Sequence, residues 1–150
     1  MNNHNLFTEI PYKNMAILGI GTDICTVKRI EKIYKKFSTK FLNRIFSSDE
    51  CDYVASLSDT KKIPFLAKRF AVKEAISKSL YTGIGQYAYF TEISCLSHHN
   101  QPPTINLIGK THQTALGLAQ KNNYARYHIY VSLSDETDYV SAFTILIGTQ

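Results

Sequence analysis

Asp23 and Glu74 are the side chains in this sequence best suited to chemistry, and they come from distant parts of the chain. Two carboxylates converging from separate elements make a hard-oxygen site of the kind Mg²⁺ prefers, since that ion keeps waters and also binds phosphate oxygens. Such an ion neutralises charge on a phosphoryl centre and polarises it for attack. Lys73 and Lys78 would add positive charge nearby, and the amides of Gly83-Ile84-Gly85 could cradle a phosphate. Each acid also has a plainer role. A turn aspartate such as Asp23 more often caps a helix. The pattern leaves Glu74 open between metal ligand and partner of a buried lysine or arginine.

The element that must carry Glu74 is the stretch Arg69-Phe70-Ala71-Val72-Lys73-Glu74-Ala75-Ile76-Ser77-Lys78-Ser79-Leu80, free of Gly and Pro. Wound as a helix, its apolar residues point nearly all the way round, which predicts a buried central helix. Lys78 falls one turn after Glu74 on the same face. Pro64 suits the first turn, after a polar connection over 58–62, and Gly83 and Gly85 stop the helix after Tyr81. Upstream, Ala16-Ile17-Leu18-Gly19-Ile20-Gly21 reads as a buried strand ending in a tight turn, with Thr22 and Asp23 where a helix would be capped.

A helix follows from Cys25 to about Phe37. Its run carries Lys28, Arg29, Lys32, Lys35, Lys36, Lys40 and Arg44 against Glu31 alone. An imbalance of seven to one points to a docking surface for something negative rather than a merely solvated face. Ser47-Ser48-Asp49-Glu50 is a capping box opening a short helix. Strands are expected over 87–96 and 104–108, joined by a turn at 97–103, then a helix over 111–121 and strands over 127–133 and 141–147. The order implies an α+β fold with a mainly antiparallel sheet packed around the long central helix.

The chain has 150 residues and a formal net charge of +5, which suits one domain with an acidic partner. Residues 1–14 read as a flexible leader and residues 15–150 as the domain. No apolar run approaches a membrane span and no secretory signal is visible. Cys25, Cys51 and Cys95 are scattered, which fits a reducing cytosol rather than a disulfide framework or zinc knuckle. Other templates fail. Gly19-Ile20-Gly21 lacks the third glycine of a dinucleotide loop, and no Gly-Lys-Ser/Thr phosphate loop occurs. His4, His98, His99, His112 and His128 have no zinc-site spacing, and Ser132 and Ser134 have no nucleophile-elbow glycines.

Taken in order, Gly19-Ile20-Gly21-Thr22-Asp23-Ile24 with Arg29-Ile30, Arg69-Phe70-Ala71-Val72-Lys73-Glu74-Ala75 with Lys78, Gly83-Ile84-Gly85 and the Val131-Ser132-Leu133-Ser134 strand resemble the holo-acyl-carrier-protein synthase family. The similarity runs from about residue 16 to the end. It implies a 4′-phosphopantetheinyl transferase fold and the transfer of phosphopantetheine from coenzyme A to a serine of apo-acyl carrier protein, in the service of fatty acid biosynthesis. By that resemblance Asp23 and Glu74 hold Mg²⁺ with the coenzyme A pyrophosphate, and Lys78 contacts phosphate and steadies the transition state. Gly83, Gly85 and Ser132 also fall to the coenzyme A site. Either Glu74 or a metal-held water takes the serine proton. Lys28, Arg29, Lys32, Lys36 and Lys40 meet the acidic recognition helix of the carrier. Small members of the family are homotrimers with sites between subunits.

The chain departs from the family in three places. Asp135 stands where many relatives have a histidine near coenzyme A, which weakens anion binding unless it points away or is compensated. Gln101 replaces a turn glycine, and Tyr81 a glycine at the helix end, altering how the pantetheine channel is bounded. Two other readings compete. A basic nucleic-acid-binding module would use tyrosines to stack bases, but the basic residues cluster on one early helix, whose Tyr34 falls among its apolar positions. A metal-dependent nuclease would want Glu-x-Lys on a strand, whereas Glu74 and Lys78 are spaced for a helix.

Overall fold

The structure, a computed structural model, describes residues 14–97 and 102–150. The expected leader therefore lies outside the described residues except for Asn14, as do His98, His99, Asn100 and Gln101 of the 97–103 turn. Strand β1 (Met15–Thr26) leads into helices α1 (Val27–Ile45), α2 (Ser48–Ser56) and α3 (Asp59–Ser79). A 3₁₀ turn at Phe90–Glu92 precedes β2 (Ile93–Leu96) and β3 (Thr104–Leu107), then α4 (Gly109–Lys121), β4 (Arg126–Asp135) and β5 (Tyr139–Thr149). The strands form a sheet in the order β1-β5-β4 and a separate β2-β3 pair, all antiparallel.

The apolar-all-round stretch is the buried central helix. Phe65, Leu66, Ala67, Phe70, Ala71, Val72, Ala75 and Ile76 of α3 all lie in the core. The helix lies across the inner face of the three-stranded sheet, where Cys25, Val140, Ala142, Thr144 and Leu146 are buried. It begins at Asp59, so the stretch read as a polar connection is helical and Pro64 sits past the first turn. Polar residues are tolerated there because that end reaches solvent.

The Gly-x-Gly reading needs correction. Gly19 and Gly21 do not turn the chain; β1 runs on and pairs with β5 as far as Thr26↔Tyr139. They are glycines because α3 crosses here backbone to backbone. A Cβ on Gly19 would collide with the Ser79 carbonyl, and one on Gly21 with the Ala75 carbonyl. Asp23 is consequently a strand residue rather than a cap, and α1 starts at Val27 with no side-chain cap.

Helix α1 also runs further than expected, but Ser38 breaks its regularity at φ 40°, ψ −115° and divides it into two helical pieces. The Ser47–Glu50 capping box is present with both of its bonds. The expected strand over 87–96 shortens to β2, because Glu92 is taken up in holding the start of α4. Its Oε2 accepts from the Thr111 amide and hydroxyl, each at 2.7 Å. At the end of α3 the left-handed residue is Tyr81 (φ 59°), not only the later Gly83 (φ 63°). A family glycine at that position would take this conformation without the cost of about 1–2 kcal/mol that a side chain incurs.

Gly21→Ala is expected to lose about 1–3 kcal/mol or more in urea unfolding, since the obstruction is helix backbone that cannot step aside. Gly117→Ala in α4, where a Cβ meets nothing, should instead gain about 0.5–1 kcal/mol.

Candidate active site

Because side chains alternate along a strand, Gly19, Gly21 and Asp23 share the face turned toward α3. The close crossing of the glycines therefore delivers Asp23 to the last turns of that helix. There the Lys78 ammonium donates to Asp23 Oδ1 at 2.9 Å and to the Thr22 carbonyl at 2.8 Å. Glu74, one turn earlier, is partly buried beside them. Burial raises its carboxyl above the usual value, and the negative charge of Asp23 raises it further; Lys78 and Arg29 work in the opposite direction. Burial likewise raises the Cys25 thiol, which also feels Arg29, Asp23 and Glu74. Asp23, Glu74, Lys78 and Arg29 thus form one electrostatic cluster in which two acids repel each other.

No group of three or more His, Cys, Asp or Glu side chains placed to hold a metal lies among the described residues. The donor set is two carboxylates. That is too few for an all-protein cage, but it fits Mg²⁺, which completes its shell with waters and substrate oxygens.

Arg29 has a double position. Its guanidinium lies 5.5 Å from the Phe70 ring centroid, at the edge of the acid cluster. With Lys28 and Lys32 it also lines a cleft of about 610 Å³ completed by Thr26, Ile33, Asp138 and Tyr139. Tyr139 is an aromatic neighbour that the sequence did not reveal. Lys36 is exposed on the same helical piece, while Lys40 stands beyond the Ser38 break on the other. Lys35 is paired with Glu31 at 2.6 Å.

Other expected residues do not converge on this cluster. Lys73 is fully buried and paired with Glu50 at 2.7 Å, so it adds no charge to the site. An apolar-all-round helix leaves the residue before Glu74, 100° round the axis from it, nowhere but the core. Of the glycine-loop amides, Gly85 donates to the Ala88 carbonyl at 2.8 Å and Gly83 to that of Ser77 at 3.3 Å, so both have partners within the chain. Ser132 pairs across to Phe143, and Phe143 to Thr22, a row of exposed residues on the sheet face away from α3. His112 bonds the Tyr127 hydroxyl at 2.6 Å, and His128 is exposed.

Asp135 is not left unpaired. It pairs with Lys68 of α3 at 2.8 Å, in a cleft also lined by Arg69 and Ser97. Arg69 is buried and donates to the Ser97 hydroxyl at 3.2 Å. Among the described residues its Nε is the buried side-chain nitrogen or oxygen without a partner. The sequence motif contained Arg69, but nothing in its spacing distinguished that arginine from a surface one.

Comparison with known proteins identifies the family. The profile of the 4′-phosphopantetheinyl transferase superfamily matches residues 19–142. The holo-[acyl-carrier-protein] synthase of Aliivibrio fischeri (strain MJ11) is 40% identical over 131 residues, covering 87% of this chain and 98% of that protein. That of Orientia tsutsugamushi (strain Boryong) is 37% identical over 130 residues, with 87% and 96% covered. Among solved structures, the Neisseria meningitidis holo-[acyl-carrier-protein] synthase superimposes with a TM-score of 0.74 at 32% identity, covering 87% of this chain and 98% of its own. The Helicobacter pylori enzyme in complex with coenzyme A gives 0.66 at 30% identity, with 85% and 98% covered. The chain belongs to the 4′-phosphopantetheinyl transferase superfamily and, within it, to the holo-[acyl-carrier-protein] synthases.

The raised Glu74 carboxyl has a consequence for stability. A folded-state value above the unfolded one means that ionising Glu74 costs stability as pH rises from the unfolded value through the folded one; below both, the cost vanishes. Glu74→Gln, with metal chelated, should therefore melt higher than the parent at pH 7 and equally near pH 3. A lower melting temperature at pH 7 would contradict the assignment.

Proposed function

We propose that the chain moves 4′-phosphopantetheine from coenzyme A to a serine of apo-acyl carrier protein, with Asp23 and Glu74 sharing Mg²⁺ beside the diphosphate. The observation that carries this is the pair of mutually repelling carboxylates at the end of α3, with Lys78 against them. Bound there, Mg²⁺ would supply positive charge against the diphosphate oxygens. The serine oxygen bonds to the pantetheine-side phosphorus, and the P–O bond to adenosine 3′,5′-bisphosphate breaks. Glu74, whose affinity for a proton is raised, is suited to accept the serine proton. Lys78, half-exposed and held by one carboxylate oxygen and one carbonyl, is free to turn from Asp23 to phosphate. Gly83 and Gly85 border the same end of α3, so the loop lies within reach of the ligand even with those amides engaged.

The cleft lined by Lys28, Arg29 and Lys32, with Lys36 exposed on the same helical piece, suits the acidic carrier, and Lys40 would join only from beyond the Ser38 break. Because Arg29 faces both the cleft and Glu74, docking and chemistry share a wall.

The outer face of the three-stranded sheet supports a homotrimer. Ile17, Ile20, Ile24, Tyr130, Tyr139 and Phe143 are all exposed on its strands, Ile24 to 67%. An uncovered apolar sheet of this kind is an interface in waiting. No helix among the described residues is long and apolar enough to cross a membrane. Cys25 and Cys95 are buried free thiols and Cys51 is half-buried and free, which supports a reducing, cytoplasmic setting.

Incubation with coenzyme A, Mg²⁺ and apo-carrier should add one phosphopantetheine to the carrier's mass; no gain across several carriers would overturn the reading. Glu74→Ala should cost at least about 10²-fold in turnover with the fold kept. Lys32→Glu is the cleaner docking test, since Lys32 lines the cleft but has no place in the acid cluster. It should raise the carrier KM far more than the coenzyme A KM, with a flatter salt dependence than the parent. Equal effects on both substrates would remove the docking surface.

A further inference from the structure

Helix α3 meets β1 through small groups, Ser79 and Ala75 against Gly19 and Gly21. Its remaining surface is largely apolar packing, which is not directional. Neither contact by itself fixes how the helix is turned or how far along the strand it stops. Directional bonds do that, and in the core beside Glu74 they gather on the preceding residue.

The Lys73 ammonium donates to Glu50 Oε2 at 2.7 Å, to the Phe90 carbonyl at 2.8 Å and to the Ile93 carbonyl. Glu50 is held in turn: its Oε2 accepts from the Ser47 amide at 3.0 Å and its Oε1 from the Cys95 amide at 3.0 Å. Neither side chain of the pair has any solvent exposure. One lysine therefore fastens α3 to α2, to the 3₁₀ turn and to β2. The loop holding Gly83 and Gly85 leaves α3 after Leu80 and ends at Phe90, so its far end is fastened to that ammonium.

We propose that Lys73, held by Glu50, is a positioning residue of the reaction. It sets the reach of Glu74 toward Asp23 and the seating of the Gly83–Gly85 loop, without itself touching substrate. The inference rests on the reading that Asp23 and Glu74 share a divalent cation.

The test variant is Glu50→Gln with Lys73→Met, which removes both charges together. Removing one alone would strand the other in the core. Mn²⁺ binding in the presence of coenzyme A is followed by electron paramagnetic resonance, alongside melting and steady-state kinetics. The double variant should melt in one cooperative transition and bind Mn²⁺ roughly tenfold more weakly, with turnover reduced by a similar factor. Its carrier KM should stay within about twofold, because the substitutions leave the basic residues of α1 in place. A folded double variant with parental Mn²⁺ affinity and turnover overturns the inference while leaving the shared-cation reading intact. If instead the parent binds no Mn²⁺, or Asp23→Asn binds it equally well, the shared-cation reading fails and this inference falls with it. Should the double variant not fold, Glu50→Asp keeps both charges and shortens the arm. Mn²⁺ affinity weakened by about threefold or more is expected there, and unchanged affinity overturns the proposal.

Discussion

A helix backbone laid directly on a strand backbone is the constraint from which the rest of this structure follows. Without side chains at Gly19 and Gly21, α3 settles against β1 more closely than any larger residue would permit. Strand alternation then hands Asp23, two residues on, to the turn of helix bearing Glu74 and Lys78. A looser crossing would hold the two acids farther apart, with water between them. The packing requirement and the chemical one are met by the same pair of glycines.

The molecule treats its two charged clusters in opposite ways. Glu50 and Lys73 are wholly enclosed, and the pair is satisfied by amides and carbonyls on both sides. Burial still pulls the Lys73 ammonium down, with Glu50 working against it. Asp23 and Glu74 are nearer solvent and remain in mutual opposition despite Lys78 and Arg29. A fully compensated cluster in a core is architecture. An undercompensated one at a surface retains free energy for a ligand of opposite sign to release.

How far these features could be read from sequence depended on the range of the signal. The all-round apolar pattern from Leu66 to Leu80 is local and repetitive, and it disclosed both the burial of α3 and the oddity of Glu74. The capping box at Ser47–Glu50 is likewise local and was legible, but the second role of Glu50, toward Lys73 and Cys95, is not. Those partners are far away in the chain and no spacing rule joins them. Gly19-Ile20-Gly21 misled because glycine has two uses, and only the crossing helix distinguishes close approach from a turn. Asp23 is therefore expected at a turn, whereas it lies within β1. The mate of Asp135 was hidden for a similar reason, since Lys68 looks like any other lysine until β4 is laid beside α3.

Tyr81 bears on how the end of α3 moves. A side chain obliged to adopt φ 59° makes the C-terminal seam of α3 the least comfortable joint in that helix. The bonds just beyond it, from the Thr82 and Gly83 amides to Ser77, are long at 3.3 Å each. Fraying should thus begin at this end and reach Lys78 before Glu74, so that amide hydrogens exchange in a gradient along the last turns. Glu74 sits on the rigid side of that gradient and Lys78 on the loose side, an apportioning of stiffness that lets one group hold still while the other swings.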